Sequence, residues 1–163
     1  MHADAKVLVT GGAGFIGSHV ADALLLRGYR VRVLDALAEQ VHGDARSFPA
    51  YLSREVETIR GDVRSRDDVL RALEGVEAVF HFAAAVGVGQ SMYEIESYTD
   101  INNRGTAVLL EALLRRPVGK LVVASSMSIY GEGLYRAADG RFSSPRPRTL
   151  EQLKAGHRGE LLP

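Results

Sequence analysis

The stretch VLVTGGAGFIG at residues 7–17 constrains this chain more than any other part of it. Residues 6–10 (KVLVT) form a short apolar run with β-branched members, which reads as a buried parallel strand. Gly11, Gly14 and Gly17 follow at GxxGxxG spacing, and residues 15–26 carry apolar side chains at helical spacing up to a stop at Gly28. Strand, tight glycine turn and helix in that order make an anion site, because backbone N–H groups and the dipole at a helix N-terminus favour a phosphate. Gly11 is expected to allow the sharp turn, Gly14 to let phosphates approach the backbone, and Gly17 to let the helix pack close to the strand.

The context strengthens the motif. Residues 29–34 (YRVRVL) alternate into a second strand that ends at Asp35, about 20 residues on, where an acid meets ribose hydroxyls. A carboxylate there accepts from both hydroxyls and repels a 2′-phosphate, so the expected cofactor is NAD rather than NADP. Beyond Asp35, residues 36–53 lack a clear period and contain Gly43 and Pro49, which predicts a loop with one helical turn at most. Residues 56–60 (VETIR) read as a third strand, followed by Gly61, Asp62 and Val63. Asp62 suits either of two roles: accepting from an adenine amino group while the Val63 backbone reads the same edge, or serving as a turn or cap acid.

Residues 66–73 predict a helix with Asp67 and Asp68 in its first turn, and residues 77–82 (EAVFHF) a fourth strand. That strand runs into AAAVGVGQS at residues 83–91, small residues at a strand's carboxyl end, where an open parallel sheet forms its ligand crevice. His81 falls within the strand and reads as a satisfied core histidine rather than a catalytic base. Residues 95–116 carry the longest helical pattern despite Asn102, Asn103 and Gly105, which are poor helix formers, and Asn102 is the candidate for holding a neighbouring loop. Residues 120–124 (KLVVA) are the fifth strand and deliver SSMSIYG to the same edge. The alternation predicts an α/β protein with a doubly wound parallel sheet, the Rossmann fold.

Composition narrows the function classes. Lys plus Arg and Asp plus Glu number 20 each, which leaves no electrostatic footprint for nucleic acid or an anionic membrane. With no Cys there are no disulfides and no thiolate metal site, and no metal is expected. No apolar run reaches the roughly 18 residues of a membrane span and nothing resembles a signal peptide, so a soluble cytoplasmic protein is expected. The organisation reads as a dinucleotide domain over residues 1–131. Residues 132–163 read as an irregular, Gly- and Pro-interrupted loop or insertion in which only residues 149–155 suit a short helix.

Taken together, TGGAGFIGSH, Asp35, GDV at residues 61–63, HFAAAVGVG, Asn102 with Gly105 and Thr106, and SSMSIYG resemble the extended short-chain dehydrogenase/reductases, the NAD-dependent epimerase/dehydratase group that works on nucleotide sugars. The resemblance covers about residues 6 to 135. Within the group, VGVGQSMYEI and SSMSIYGEGLYR look most like dTDP-6-deoxyhexose epimerases. It implies that Gly11, Gly14, Phe15, Ile16 and Gly17 hold the pyrophosphate, Asp35 the ribose, and Asp62 with Val63 the adenine. Phe82, Ala83, Ala84, Asn102, Ala124 and Ser125 would surround the nicotinamide half, and Val88, Gly89 and Ser91 would touch a sugar nucleotide. Ser126 aligns with the catalytic hydroxyl that bonds the reacting sugar oxygen. A hydroxyl both donates and accepts, so it can follow that oxygen from alcohol to ketone. Relatives are often homodimers through helices of this domain.

Two departures qualify what the resemblance carries. The family's general base is a tyrosine assisted by a lysine four residues later, and no YxxxK occurs here: Leu134 follows Tyr130 at that spacing, and Asp139 follows Tyr135. The C-terminal substrate domain is also absent, so the expected role is the cofactor-binding portion of a nucleotide-sugar epimerase, inactive alone. Relatives carry cysteine pairs after the YGEG stretch, where this chain has RAADG at residues 136–140, and His157 alone makes no metal site. Three other readings stay open: a reductase or dehydrogenase of the same fold, a non-catalytic NAD-sensing module favoured by the missing YxxxK, and an incomplete fragment that binds nothing tightly. Dehydration ranks lower, because Met127 and Ser128 stand where dehydratases carry Asp-Glu.

Overall fold

The computed structural model describes residues 2, 4–126, 129, 134–144 and 149–155. They fall into two compact units, Met1–Ala124 and Ser125–Pro163. The first unit is built on five parallel strands: β1 (Lys6–Thr10), β2 (Arg30–Asp35), β3 (Glu57–Arg60), β4 (Ala78–His81) and β5 (Lys120–Val123), in the order β3-β2-β1-β4-β5. This is the doubly wound order, with β1 central and the ligand edge where neighbouring connections diverge. Register is fixed by pairs such as Val7 with Val31 and with Ala78.

Helices cover both faces. α1 (Phe15–Leu25) follows the glycine turn and stops before Gly28, whose φ of +79° is the left-handed value that favours glycine. α2 (Glu39–His42) is the single turn in the loop after β2. α3 (Arg66–Ala72) starts at Ser65, whose hydroxyl accepts from the Asp68 N–H at 3.3 Å, with Asp67 and Asp68 favourably placed in its first turn. After β4 come α4 (Val88–Ser91) and α5 (Ile95–Tyr98), and α6 (Gly105–Arg115) leads into β5.

Strand alternation sorts the core into two layers. Val7 and Val9 of β1 and Val31 and Val33 of β2 pack on one face with Ala21 and Leu24 of α1. Leu8 and Leu34 point to the other face and meet Val69 of α3 and Leu109 and Ala112 of α6. The helical pattern of residues 95–116 is not one α-helix. Residues Thr99–Arg104 form a π-helix between α5 and α6, so the backbone takes an extra residue per turn where Asn102 and Asn103 sit.

The second unit departs from the expected irregular tail. β6 (Tyr135–Arg136) and β7 (Phe142–Ser143) pair antiparallel around a turn in which Gly140 has φ +84°. The physical reason is the Asp139-Gly140 pair, a strong hairpin signal. α7 (Leu150–Lys154) is the expected short helix. Thr149 and Gln152 cap it reciprocally, with the Thr149 N–H donating to Gln152 Oε1 at 2.8 Å. Among the described residues, no helix is long and apolar enough to cross a membrane.

Candidate functional site

The carboxyl ends of β1, β2 and β4 meet at the glycine turn. Gly11 has φ +68°, and a Cβ on it would come within 2.7 Å of the Ala83 nitrogen and 2.8 Å of the Phe82 carbonyl carbon. The turn thus lies directly against the exit of β4, which only glycine permits. A Cβ on Gly17 would overlap the Gly11 carbonyl oxygen, so α1 begins in contact with the turn, as its spacing implied. Gly14 differs: its nearest other atom would be the Gly11 oxygen at 3.4 Å, so the backbone there stays approachable. Gly14 is also the N-cap of α1 and supplies no capping side chain. The first-turn N–H groups at Phe15, Ile16 and Gly17 therefore depend on an outside acceptor. The side chains of Phe15 and Ile16 are exposed, so these residues can serve an anion only through their backbone.

Asp35 closes the end of β2. Its Oδ2 accepts from the Ala13 N–H at 2.9 Å and its Oδ1 from the Leu37 N–H at 2.9 Å, which ties strand and glycine turn together. Each oxygen keeps a second lone pair, the capacity that paired hydroxyls need. Residues that sequence reading passed over complete this corner. Gly12 packs under Val33, where a Cβ would clash; the Tyr51 hydroxyl donates to the Ala13 carbonyl at 2.5 Å; and His42 Nε2 lies 3.8 Å from Asp35 Oδ1. Tyr51 is 38 residues from Ala13, and no local pattern announces that contact.

A directed chain of hydrogen bonds sets the loop after β4. The Thr106 hydroxyl donates to the Asn102 carbonyl at 2.6 Å, so it accepts from His81 Nε2 at 3.1 Å. His81 Nδ1 is then unprotonated and accepts from the Thr10 hydroxyl at 2.7 Å, while Thr10 accepts from the Ala83 N–H at 3.3 Å. Asn102 clamps the same loop: its Oδ1 accepts from the Ala85 N–H at 2.8 Å and its Nδ2 donates to the Ala85 carbonyl at 3.1 Å. His81 is thus the satisfied core histidine that its place in the strand implied, and Asn102 the loop holder.

Burial holds the His81 imidazole below its ordinary value near 6.5. A lowered folded-state value means that the unfolded chain binds the proton more readily. The stability contributed by neutral His81 is therefore complete above about pH 6.5 and is lost as pH falls through the folded value. We expect the melting temperature of the parent to drop on acidification below pH 6.5 more steeply than that of His81→Gln. Parallel pH profiles would remove His81 from the acid limb.

The other expected site residues divide by location. Val63 is buried, with its side chain against Gly105, so only its backbone is open to a ligand. Asp62 Oδ1 accepts from the Arg64 N–H at 2.8 Å in a local turn, and the Arg64 guanidinium holds its carboxyl below the usual range. Phe82, Ala83 and Ala84 follow β4 beside the turn. Val88 and Gly89 are exposed on α4, and the Ser91 hydroxyl donates to the Val88 carbonyl at 2.8 Å. The Ala124 N–H donates to the His81 carbonyl at 3.2 Å, which extends the β4–β5 ladder by one bond. Ser125 and Ser126 are exposed and open the second unit, where the Ser126 carbonyl accepts from the Ile129 N–H at 3.3 Å. Met127, Ser128, Tyr130, Gly131 and His157 lie outside the described residues. Among the described residues, no cluster of three His, Asp or Glu could hold a metal.

This arrangement has known counterparts. Residues 7–150 match the model of the NAD dependent epimerase/dehydratase family. The chain is 36% identical over 154 residues to a dTDP-L-rhamnose 4-epimerase of Burkholderia thailandensis, and the match covers 92% of this chain and 42% of that protein. It is 38% identical over 129 residues to a UDP-glucose 4-epimerase of Neisseria meningitidis serogroup C, covering 78% of this chain and 38% of that one. The crystal structure of a Thermus thermophilus UDP-glucose 4-epimerase in complex with NAD superposes with a TM-score of 0.68 at 38% identity, covering 87% of this chain and 44% of that chain. The chain thus spans about two-fifths of the length of these relatives. By the family match, the identity of its relatives and the shared sheet, the chain belongs to the NAD dependent epimerase/dehydratase family.

Proposed function

We propose that this chain is the cofactor-binding portion of an NAD-dependent nucleotide-sugar epimerase. The observation that carries the reading is the glycine turn pressed against Ala83, with the Asp35 carboxylate bonded to the Ala13 N–H beside it. The first-turn N–H groups of α1 would take the pyrophosphate, and Asp35 the ribose hydroxyls of the adenosine. Asp62 and the Val63 backbone would hold the adenine edge. Phe82, Ala83 and Ala84, with Asn102 acting through Ala85, and Ala124 with Ser125 would border the nicotinamide half. Val88, Gly89 and Ser91 would face the sugar nucleotide. The chemistry that NAD supplies when bound is reversible hydride exchange with a sugar carbon, and return to the opposite face inverts that carbon. Ser126 would hold the reacting oxygen, and the proton-accepting tyrosine and its lysine would come from the part that the longer relatives carry beyond this match.

Calorimetric titration tests the cofactor reading. Asp35→Ala is expected to weaken NAD binding about tenfold or more, since it deletes a charged acceptor for two hydroxyls. Equal affinity in variant and parent would sink the ribose assignment. Ser126→Ala, made in this chain joined to the C-terminal part its relatives carry, is expected to lower turnover about a hundredfold at unchanged NAD affinity. Undiminished turnover would take Ser126 out of the mechanism.

A further inference from the structure

Residues 11–14 read GGAG, and glycine gives up more backbone freedom on folding than any other residue. The shape of the turn is therefore set by what holds it. The Gly11 N–H donates to the Leu34 carbonyl at 2.8 Å and the Ala13 N–H to Asp35 Oδ2 at 2.9 Å, so the end of β2 fixes the peptides that precede Gly11 and Ala13. The peptide between Ala13 and Gly14 is the last one before the first-turn donors of α1. Its N–H donates to the Gly11 carbonyl at 3.2 Å within the turn, and its carbonyl accepts from the Tyr51 hydroxyl at 2.5 Å.

Tyr51 is placed for this contact rather than for burial. It lies in the turn that the Leu52 N–H closes on the Pro49 carbonyl at 3.1 Å. Leu52, which is buried, and Phe48, which is partly buried, seat that turn on the core cluster of Val9 and Val33. Tyr51 itself is 59% exposed. An exposed ring adds little apolar burial, so the consequence of the side chain lies in its hydroxyl. The loop after β2 thus reaches from the core to the glycine turn and holds a peptide that the bonds from β2 do not reach.

We propose that Tyr51 is a positioning residue for the dinucleotide: its hydroxyl keeps the Ala13–Gly14 peptide in the orientation that leaves the first-turn N–H groups of α1 open to the pyrophosphate, so the turn is formed before the cofactor arrives. This rests on the reading that those N–H groups take the pyrophosphate. A site that must first reach its binding shape associates at a rate scaled by the fraction already in that shape, while release from the formed complex is unaffected. A group that touches the ligand acts mainly on release instead.

The test is stopped-flow binding of NADH, followed by its own fluorescence, to the parent, Tyr51→Phe and Tyr51→Leu. Tyr51→Phe removes the hydroxyl alone. It is expected to slow association about fivefold, the worth of one net hydrogen bond, with release changed less than about twofold. Tyr51→Leu removes the ring as well and should match Tyr51→Phe within about twofold on both rates, since the ring has no part in the effect. Unchanged association in Tyr51→Phe, or release accelerated more than about twofold, overturns the role of Tyr51 and leaves the proposed function standing. So does a Tyr51→Leu variant that releases NADH several-fold faster than Tyr51→Phe, which would make the ring a contact of the cofactor. A parent that binds no NADH overturns both.

Discussion

A Gly17→Val variant is expected to lose about 3 kcal/mol of folding stability, with dinucleotide binding lost alongside it. A Cβ at this position would overlap the Gly11 carbonyl oxygen and fall within 2.6 Å of the Gly12 Cα. Both obstacles are backbone, and the backbone cannot retreat. The Gly11 N–H donates to the Leu34 carbonyl at 2.8 Å, and a Cβ position on Gly11 already falls on Ala83. Valine adds two methyl groups with one strongly preferred helical rotamer, which removes the freedom to avoid the clash. Gly14→Ala is the control: φ at Gly14 is −73° and the nearest atom lies at ordinary contact distance, so its stability should stay within about 0.5 kcal/mol of the parent. Denaturant unfolding measures both. A Gly17→Val midpoint equal to that of Gly14→Ala would show that α1 can shift away from the turn without cost.

The second large effect is expected at Arg32→Met, which should cost about 3 kcal/mol. Arg32 is only 6% exposed, although it lies on a strand with Arg30, which is exposed on the same face. Its Nη1 donates to the Ala72 and Glu74 carbonyls at 2.8 Å each and approaches the Arg71 carbonyl at 3.4 Å. The Arg71 and Ala72 carbonyls end α3, at the negative end of its dipole, and the Glu74 carbonyl lies two residues past it. Nη2 meets Glu57 Oε1 at 2.8 Å and draws that carboxyl below its usual range. Methionine keeps the apolar stem and removes the guanidinium, so the buried carbonyls lose a charged donor while packing is nearly conserved. Glu57→Ala should cost under about 1 kcal/mol, because that side of the pair is half exposed. An Arg32→Met variant as stable as the Glu57→Ala variant would mean that water replaces the guanidinium at the helix end.

The strands and the doubly wound parallel class were legible because buried parallel strands read as continuous apolar runs, as KVLVT and AVFH do, and the half-exposed KLVV is also such a run. Gly11 and Gly17 were legible because tight turns admit no side chain. The role of Arg32 was not, because alternation places Arg30 and Arg32 on one face and says nothing of the helix end that covers only the second. The poor helix formers at Asn102 and Asn103 announced a disturbance but not its form, since a π-turn depends on what Asn102 reaches, 17 residues back at Ala85. Asp62 had two readings of equal weight. The structure supplies the turn and the ion pair with Arg64. The hairpin of the second unit was within reach of the Asp139-Gly140 signal, which a segment dense in glycine and proline concealed.

The pairing of β1 sets an order of assembly. On one side Val7 meets Val31, a closure of modest length; on the other, Thr10 waits for His81, 71 residues further along the chain. Closing the longer loop costs entropy before any pairing repays it, so the β1–β4 contact is the slow one. During synthesis the glycine motif leaves the ribosome before the wall that Gly11 leans on, which is made of Phe82 and Ala83. The glycine turn is therefore finished only when the exit of β4 arrives. Until then the inner edge of β1 stands open to any other strand.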